Sequence, residues 1–253
     1  MVLKIAIIGG SGVYDLFEGG DTVTIKTPYG KVTKICKIKT KEKEVFFLPR
    51  HGPEHSLPPH LINYRANIYA LHSLEVEEIY ATNAVGSIVN NIQPGEFVIP
   101  DQLIDMTKNR ILSFFDGKTE IIFKDGTSKH GVVHLDYTEP YSPKLRKKFL
   151  SLLKESAEKV HESGVLVCTE GPRFETPAEI KMFQLLGGTL VGMTTVPEAI
   201  LAKEVQIAYA TLCLVTNYGA GMQEEISHKE VIEIFNKKIQ VVKDLMQKII
   251  EEK

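Results

Sequence analysis

Phe174 and Glu175 stand side by side in Glu170-Gly171-Pro172-Arg173-Phe174-Glu175-Thr176, a turn-rich stretch where an aromatic face adjoins a carboxylate. Such a pair suits a flat heterocycle: the rings stack, and the carboxylate accepts from ring N–H groups. The stretch follows 164–169, a short apolar, β-branched run with the pattern of a buried strand. Thr176 is placed to cap, and Pro177 to open, a helix beginning Ala178-Glu179-Ile180. In open α/β sheets functional groups gather at the carboxyl ends of strands, which makes this turn a candidate site. A second strand ends at Gly192-Met193-Thr194-Thr195-Val196-Pro197-Glu198. There Met193 offers apolar surface beside the Thr194 hydroxyl, as a sugar next to an anion requires.

Four more strand ends carry polar groups. Gly9-Gly10-Ser11-Gly12 follows the first strand, but Asp15 occupies the third glycine position of a dinucleotide fingerprint, and Val13 breaks Gly-x-Ser-x-Gly. Two readings stay open for this loop: backbone N–H groups and the Ser11 hydroxyl holding an oxyanion, or glycine used for conformation alone. Pro49-Arg50-His51-Gly52 presents charge and donors suited to a dianion. His55 and His60 lie close by and raise a metal alternative beside that of solvated loop histidines. Pro53 prevents His51 and His55 from sharing a helical face, so no zincin-type ligand pair is present. Thr82-Asn83-Ala84-Val85-Gly86-Ser87 reads as a small-residue turn after a strand, and Val215-Thr216-Asn217-Tyr218-Gly219 ends the last strand with a carboxamide.

The elements that must position these groups alternate in type. Strands are predicted over 4–8, 23–26, 33–39, 44–48, 78–82, 97–100 and 208–215, with helices over 63–74, 142–160 and 227–250 and a long polar loop over 106–131. No repeat, low-complexity tract or linker divides the 253 residues, so one α/β domain over 1–253 is expected. The net charge of −2, with both signs interspersed, gives no footprint for nucleic acid or an anionic membrane. No apolar run approaches the ~20 residues of a membrane span, and neither a signal n-region nor a cleavage site is read at the start. Cys36, Cys168 and Cys213 are widely spaced, consistent with free thiols in a reducing cytoplasm.

Taken in order, these motifs carry a family resemblance. Ile7-Ile8-Gly9-Gly10-Ser11-Gly12, Thr27-Pro28-Tyr29-Gly30, Arg50-His51-Gly52, Asn63-Tyr64-Arg65-Ala66-Asn67, Asn83-Ala84-Val85-Gly86, the Glu170–Thr176 turn and Gly192–Glu198 together resemble the trimeric purine nucleoside phosphorylases and methylthioadenosine phosphorylases. The resemblance runs over nearly the whole chain. It implies a three-layer α/β phosphorylase fold, a mixed twisted sheet with a distorted barrel flanked by helices. It also implies a pentosyltransferase of purine salvage that releases free base and ribose 1-phosphate, with phosphate as co-substrate and neither metal nor organic cofactor. By the same resemblance Ser11, Arg50, His51, Asn83, Ala84 and Thr194 hold phosphate, and Met193 underlies the ribose. Phe174, Glu175 and Asn217 face the base, and His134 reaches a neighbouring subunit's sugar site in a homotrimer or dimer of trimers. His228 stays open to two readings, a partner for the ribose 5′-hydroxyl or a solvated residue at the start of the terminal helix, where Ser227 is placed to cap.

Two subfamilies are mixed here. The Arg50-His51-Gly52 loop resembles the methylthioadenosine branch, yet Asn217-Tyr218-Gly219 stands where that branch has Asp-x-Asp, Glu175 where it has serine, and Asn83 where it has threonine. Phe174-Glu175-Thr176, Thr216-Asn217 and Ser227-His228-Lys229-Glu230-Val231 resemble the 6-oxopurine enzymes instead. The chemistry agrees, because a 6-oxopurine presents N1–H to the Glu175 carboxylate and O6 to the Asn217 amide, whereas adenine sets its unprotonated N1 against a carboxylate. The expectation is a 6-oxopurine nucleoside phosphorylase acting on inosine and guanosine, with a methylthioinosine or methylthioadenosine phosphorylase as the nearest alternative. A nucleoside hydrolase and a catalytically silent binding module are the rivals from other classes.

Overall fold

The first strand is apolar on both faces, and its alternation shows what covers each. In β1 (Leu3–Gly9), Ala6 and Ile8 pack into one buried cluster with Ile68, Leu71, Leu201 and Ala202, while Ile5 and Ile7 pack into another with Phe149, Leu245, Met246 and Ile249. Two helices thus lie on each side of β1: α1 (Tyr64–Ser73) and α4 (Thr195–Glu204) on one, α2 (Pro143–Lys154) and α5 (His228–Glu251) on the other. This computed structural model describes residues 2–10, 13, 16–17, 19–52, 56–223 and 228–252, with the side chains of 228–230 left aside.

The remaining strands are β2 (Asp21–Thr27), β3 (Gly30–Lys39), β4 (Lys43–Pro49), β5 (Glu78–Ser87), β6 (Phe97–Val98), β7 (Gln102–Asp105), β8 (Ile121–Ile122), β9 (Ser128–Lys129), β10 (Val160–His161), β11 (Val165–Cys168), β12 (Leu190–Gly192) and β13 (Ala208–Tyr218). All but the β8–β9 pair join one mixed 11-stranded sheet with the order β10-β6-β13-β5-β1-β4-β3-β2. Strand β11 pairs with β7 and β12, and β12 joins the sheet on β5. A large mixed sheet flanked by helices is what the sequence implied. Helix α3 (Pro177–Leu185) follows β11 and carries the expected start, with Thr176 and Glu179 forming a reciprocal capping box and Pro177 at the first turn.

Some boundaries differ from the sequence reading, each for a physical reason. Residues 83–87 are not a turn: β5 runs on through Ser87 because β13 pairs along its whole length. The helix predicted over 142–160 stops at Lys154, and the chain then adds β10 to the edge of β6. The stretch 106–131 is not simply a polar loop, since Phe114, Ile121 and Phe123 are buried in the core and β8 and β9 form a hairpin within it. Residues 195–204, read only as following a strand end, form α4.

Candidate active site

The strand β5 is paired unevenly on its two edges. On one edge β13 follows it from Glu78 to Ser87. On the other, β1 pairs with 78–81 and β12 with 86–87, so 82–85 have no strand beside them there among the described residues. The orientation of backbone groups along β5 follows from its contacts. The Ala81 carbonyl accepts from the Thr211 hydroxyl of β13 and the Ser87 carbonyl from the Gly219 N–H just beyond β13, whereas the Thr82 carbonyl accepts from Arg50 on the opposite edge. Strand alternation therefore turns the N–H of Ala84, an exposed residue between buried neighbours, into the gap. A crevice where neighbouring strands diverge is where open α/β sheets bind ligands.

One end of this gap is polar. The Asn83 side chain donates to Thr195 Oγ1 and accepts from Thr194 Oγ1, each at 3.1 Å, which ties β5 to the start of α4. Thr194 is the N-cap residue of α4, and its hydroxyl makes no capping bond. The α4 N-terminus therefore faces the gap with its partial positive charge.

Arg50 follows β4 and its side chain is only 3% exposed. Its Nε and Nη2 contact the two carboxylate oxygens of Glu198 at 2.5 and 2.9 Å, and Nη1 reaches the Thr82 carbonyl at 2.8 Å. Three of five N–H donors are used, leaving two. Burial acts to lower the Arg50 pKa, but Glu198 outweighs it and the net direction is upward. Tyr209 donates to Glu198 Oε2 at 2.7 Å from β13, and burial holds its phenol far above the ordinary range. His51, half-buried, places Nδ1 2.8 Å from the Leu57 carbonyl, which makes Nδ1 the donor nitrogen. The Arg50 backbone N–H donates to the carbonyl of Gly9 at 3.1 Å, joining the ends of β1 and β4.

Near the carboxyl end of β5 stand a carboxamide and, tied to the neighbouring strand ends, a carboxyl. A bulge in β13 between Val215 and Asn217 brings Asn217, not Thr216, opposite Gly86. A Cβ on Gly86 would lie 3.1 Å from Asn217 Nδ2 and 3.2 Å from Val191 Cγ1, so the glycine makes room for the carboxamide. Asn217 Oδ1 accepts from Thr216 Oγ1 at 2.9 Å and Nδ2 donates to the Tyr218 carbonyl at 2.9 Å. Each end of the amide keeps one further hydrogen-bonding position. Glu175 is 9% exposed, with Oε1 accepting from Thr169 Oγ1 at 2.7 Å. Burial pushes its carboxyl upward, against the pull of Thr169 and of its own backbone N–H. Phe174 is 38% exposed beside it. Met193 follows β12, and its Sδ would meet a Cβ on Gly171 at 2.7 Å; Gly171 has φ +63° and lies next to a cis Pro172.

Compared with known proteins, residues 4–251 match the model of the phosphorylase superfamily. The chain belongs to that superfamily. A relative from Pyrococcus furiosus named 6-oxopurine nucleoside phosphorylase is 51% identical over 237 residues, covering 93% of this chain and 87% of the relative. A relative from Methanothermobacter thermautotrophicus, named probable S-methyl-5′-thioinosine phosphorylase, is 48% identical over 238 residues, covering 92% of this chain and 79% of its own length. Among solved structures, methylthioadenosine phosphorylase from Schistosoma mansoni in complex with adenine superposes with a TM-score of 0.87 at 32% identity, covering 96% of this chain and 89% of that one.

In this phosphorylase-superfamily chain, Arg50, Asn83, Ala84 and Thr194 meet around one end of the β5 gap, and Asn217 lies beside Gly86 at the other. Glu175 is linked to the same strand ends through Thr169, whose backbone N–H donates to the Gly192 carbonyl at 2.8 Å. Ser11 and the side chain of His228 lie outside the described residues, as does His55. His134 is exposed on the segment between β9 and α2, and His60 is exposed in a 3-10 turn, Pro59–Leu61. Four residues escaped the sequence reading as supports of the site: Glu198, Tyr209, Thr169 and Arg110. Arg110 donates to the carbonyls of Thr169 and Glu170 at 3.3 and 2.8 Å and to Tyr64 Oη at 3.2 Å, so it fastens the turn that carries Phe174 and Glu175. Among the described residues no group of three or more His, Cys, Asp or Glu is arranged to hold a metal, and no helix is long and apolar enough to cross a membrane.

Proposed function

We propose that this chain is a 6-oxopurine nucleoside phosphorylase, a pentosyltransferase that cleaves inosine and guanosine with inorganic phosphate to free base and ribose 1-phosphate. The observation that carries the reading is Glu175, a buried carboxyl oriented by Thr169 at Oε1, whose ionised form offers acceptors to a ring N–H. Asn217 complements it, its spare Nδ2 hydrogen meeting O6 and its spare Oδ1 lone pair meeting N7–H of the departing base. The name of the Pyrococcus furiosus relative supports the same base class.

Phosphate occupies the other end of the gap. It takes donors from Arg50, the second Asn83 Nδ2 hydrogen, the Ala84 N–H and Ser11, from the Thr194 hydroxyl once it turns away from Asn83, and from His51 with both ring nitrogens protonated, with the α4 N-terminus adding its dipole. Ribose lies over Met193, and His228 serves its 5′-hydroxyl. As the C1′–N9 bond lengthens toward an oxocarbenium-like ribosyl, a phosphate oxygen bonds to C1′ from the opposite face. The bonding electrons leave with the purine, and Asn217 stabilises that charge at N7. Catalysis is positioning and preorganised electrostatics, with no covalent enzyme intermediate and no cofactor. His134 reaches the sugar site of a neighbouring copy in a homotrimer or dimer of trimers working in cytoplasmic purine salvage.

The name of the Methanothermobacter relative favours methylthioinosine as the second reading, since it shares the 6-oxopurine base and differs only at the 5′ carbon. A panel of inosine, guanosine, adenosine, methylthioadenosine and methylthioinosine, each with and without phosphate, tests both. Phosphate-dependent release of hypoxanthine from inosine in preference to methylthioinosine is expected. Equal release without phosphate would make the protein a hydrolase, and release of adenine alone would remove the 6-oxopurine assignment.

A further inference from the structure

Resting on that reading, we propose that the same site has a second, acid-dependent activity: with Glu175 protonated it phosphorolyses 6-aminopurine nucleosides, so one carboxyl proton switches the base class. The geometry around Glu175 supplies the argument. Its carboxyl is buried, and Thr169 Oγ1 at 2.7 Å is its side-chain hydrogen-bond donor. The charged groups near it are otherwise engaged. Arg173, on the same turn, gives its guanidinium to both oxygens of Glu179 at 2.7 and 2.8 Å. Glu179, at the start of α3, is a like charge that opposes ionisation of Glu175, and it outweighs the smaller pull of Arg173 toward the charged form. The Glu170 carboxylate is turned the other way, 3.5 Å from Arg110 Nε and accepting from the backbone N–H groups of Lys108 and Asn109. Among the described residues, then, no cation forms an ion pair with this buried carboxyl, and burial pushes its pKa upward as the largest influence.

Protonation changes what the pocket offers. The ionised carboxyl presents acceptors only, which match N1–H of a 6-oxopurine and oppose the lone pair on N1 of adenine. The neutral form presents an O–H, which donates to adenine N1 while Thr169 keeps its bond to the other oxygen. Asn217 stays oriented by Thr216 and Tyr218 in either case, so its preference for O6 lowers adenosine turnover by a factor that does not vary with pH.

The test is kcat/KM for adenosine divided by kcat/KM for inosine, with phosphate present, from about pH 5 to about pH 8, above the ordinary glutamate range. Phosphate ionisation and every group that acts on phosphate or ribose cancel in this ratio. The expected result is a ratio that rises as pH falls, approaching about tenfold per unit, the mass-action slope of one proton. In Glu175→Gln the ratio should be flat. A flat wild-type ratio, no adenosine turnover at any pH, or a slope that persists in Glu175→Gln would each overturn the proposal. Inosine turnover at neutral pH remains the separate check on the parent function. Calorimetry on the wild-type protein gives a readout independent of the variant: adenine binding should tighten at acid pH with uptake of a proton, and hypoxanthine binding should not. Equal proton uptake for the two bases would also overturn it.

Discussion

Removal of Glu198 separates what holds the Arg50 end of the site together from what is proposed to react there. In Glu198→Ala, Arg50 keeps its buried position and loses both carboxylate contacts, at 2.5 and 2.9 Å, while the Tyr209 hydroxyl loses its 2.7 Å acceptor. An uncompensated buried charge costs about 3–5 kcal/mol. An orphaned buried hydroxyl costs about 1–3 kcal/mol, but both losses share one carboxylate and do not add. With about 2–4 °C per kcal/mol for a chain of this size, Tm should fall by about 6–20 °C. Scanning calorimetry measures this directly. A triple variant, Arg50→Met with Glu198→Leu and Tyr209→Phe, removes the polar groups together and leaves mainly the Thr82 carbonyl without its donor. It should lose less stability than Glu198→Ala while losing phosphate-dependent turnover. The reasoning is refuted if Glu198→Ala melts within about 1 kcal/mol of the parent, the worth of an exposed pair, or if the triple variant is the less stable of the two.

Base recognition and packing give further expectations. Asn217→Asp should depress kcat/KM for inosine and raise it for adenosine, more so with Glu175→Ser added; an inosine-to-adenosine ratio unchanged across the four proteins would rule out base recognition by these residues. Gly86→Ala places a methyl 3.1 Å from Asn217 Nδ2 and 3.2 Å from Val191 Cγ1. The displaced amide should lower kcat/KM for inosine by about tenfold, or about 1.4 kcal/mol, and unaltered kinetics would show that the amide need not be held there. Away from the site, burial raises the Glu96 pKa, but hydrogen bonds from Lys159, the Gln93 N–H and His161 outweigh it and bring the carboxyl down to about 2. A depressed folded pKa means stability present above the unfolded value of about 4.3 and lost as pH falls toward the folded one. Glu96→Gln should therefore be less stable than the parent at neutral pH and converge with it between about pH 4 and pH 2, as read from urea midpoints.

What the sequence made legible was local. The Thr176-Pro177-x-Glu179 start of α3 needs only neighbours to be read, and it appears as a complete capping box. The strand ends bearing Arg50, Asn83, Thr194 and Asn217 were visible as punctuation after apolar runs, and the pairing brings them around the carboxyl-terminal half of β5, on both of its edges. What stayed hidden was non-local. Arg50 and Glu198 are separated by 148 residues, and nothing in Thr195-Val196-Pro197-Glu198 announces that its glutamate turns inward to a cation. Asn83 to Ser87 have turn composition, but pairing with β13 overrides that preference. The bulge before Asn217 is a property of two strands together, so neither segment alone reveals which of Thr216 and Asn217 meets Gly86.

Strand β5 also works as a ruler. Asn83 ties in the start of α4, three residues before Gly86 admits the Asn217 carboxamide, and three residues of strand span about 10 Å, which in the proposed site is the reach of one sugar between an anion and a base. Inserting or deleting a residue between them would both change that span and turn the remaining side chains to the opposite face. Length is thus closed to variation in this part of the chain, while the groups at 175 and 217 project from a turn and from another strand and are free to change in kind. A lineage built on this strand can exchange one purine class for another by substitution at its margins without altering the spacing at which ribose is passed to phosphate.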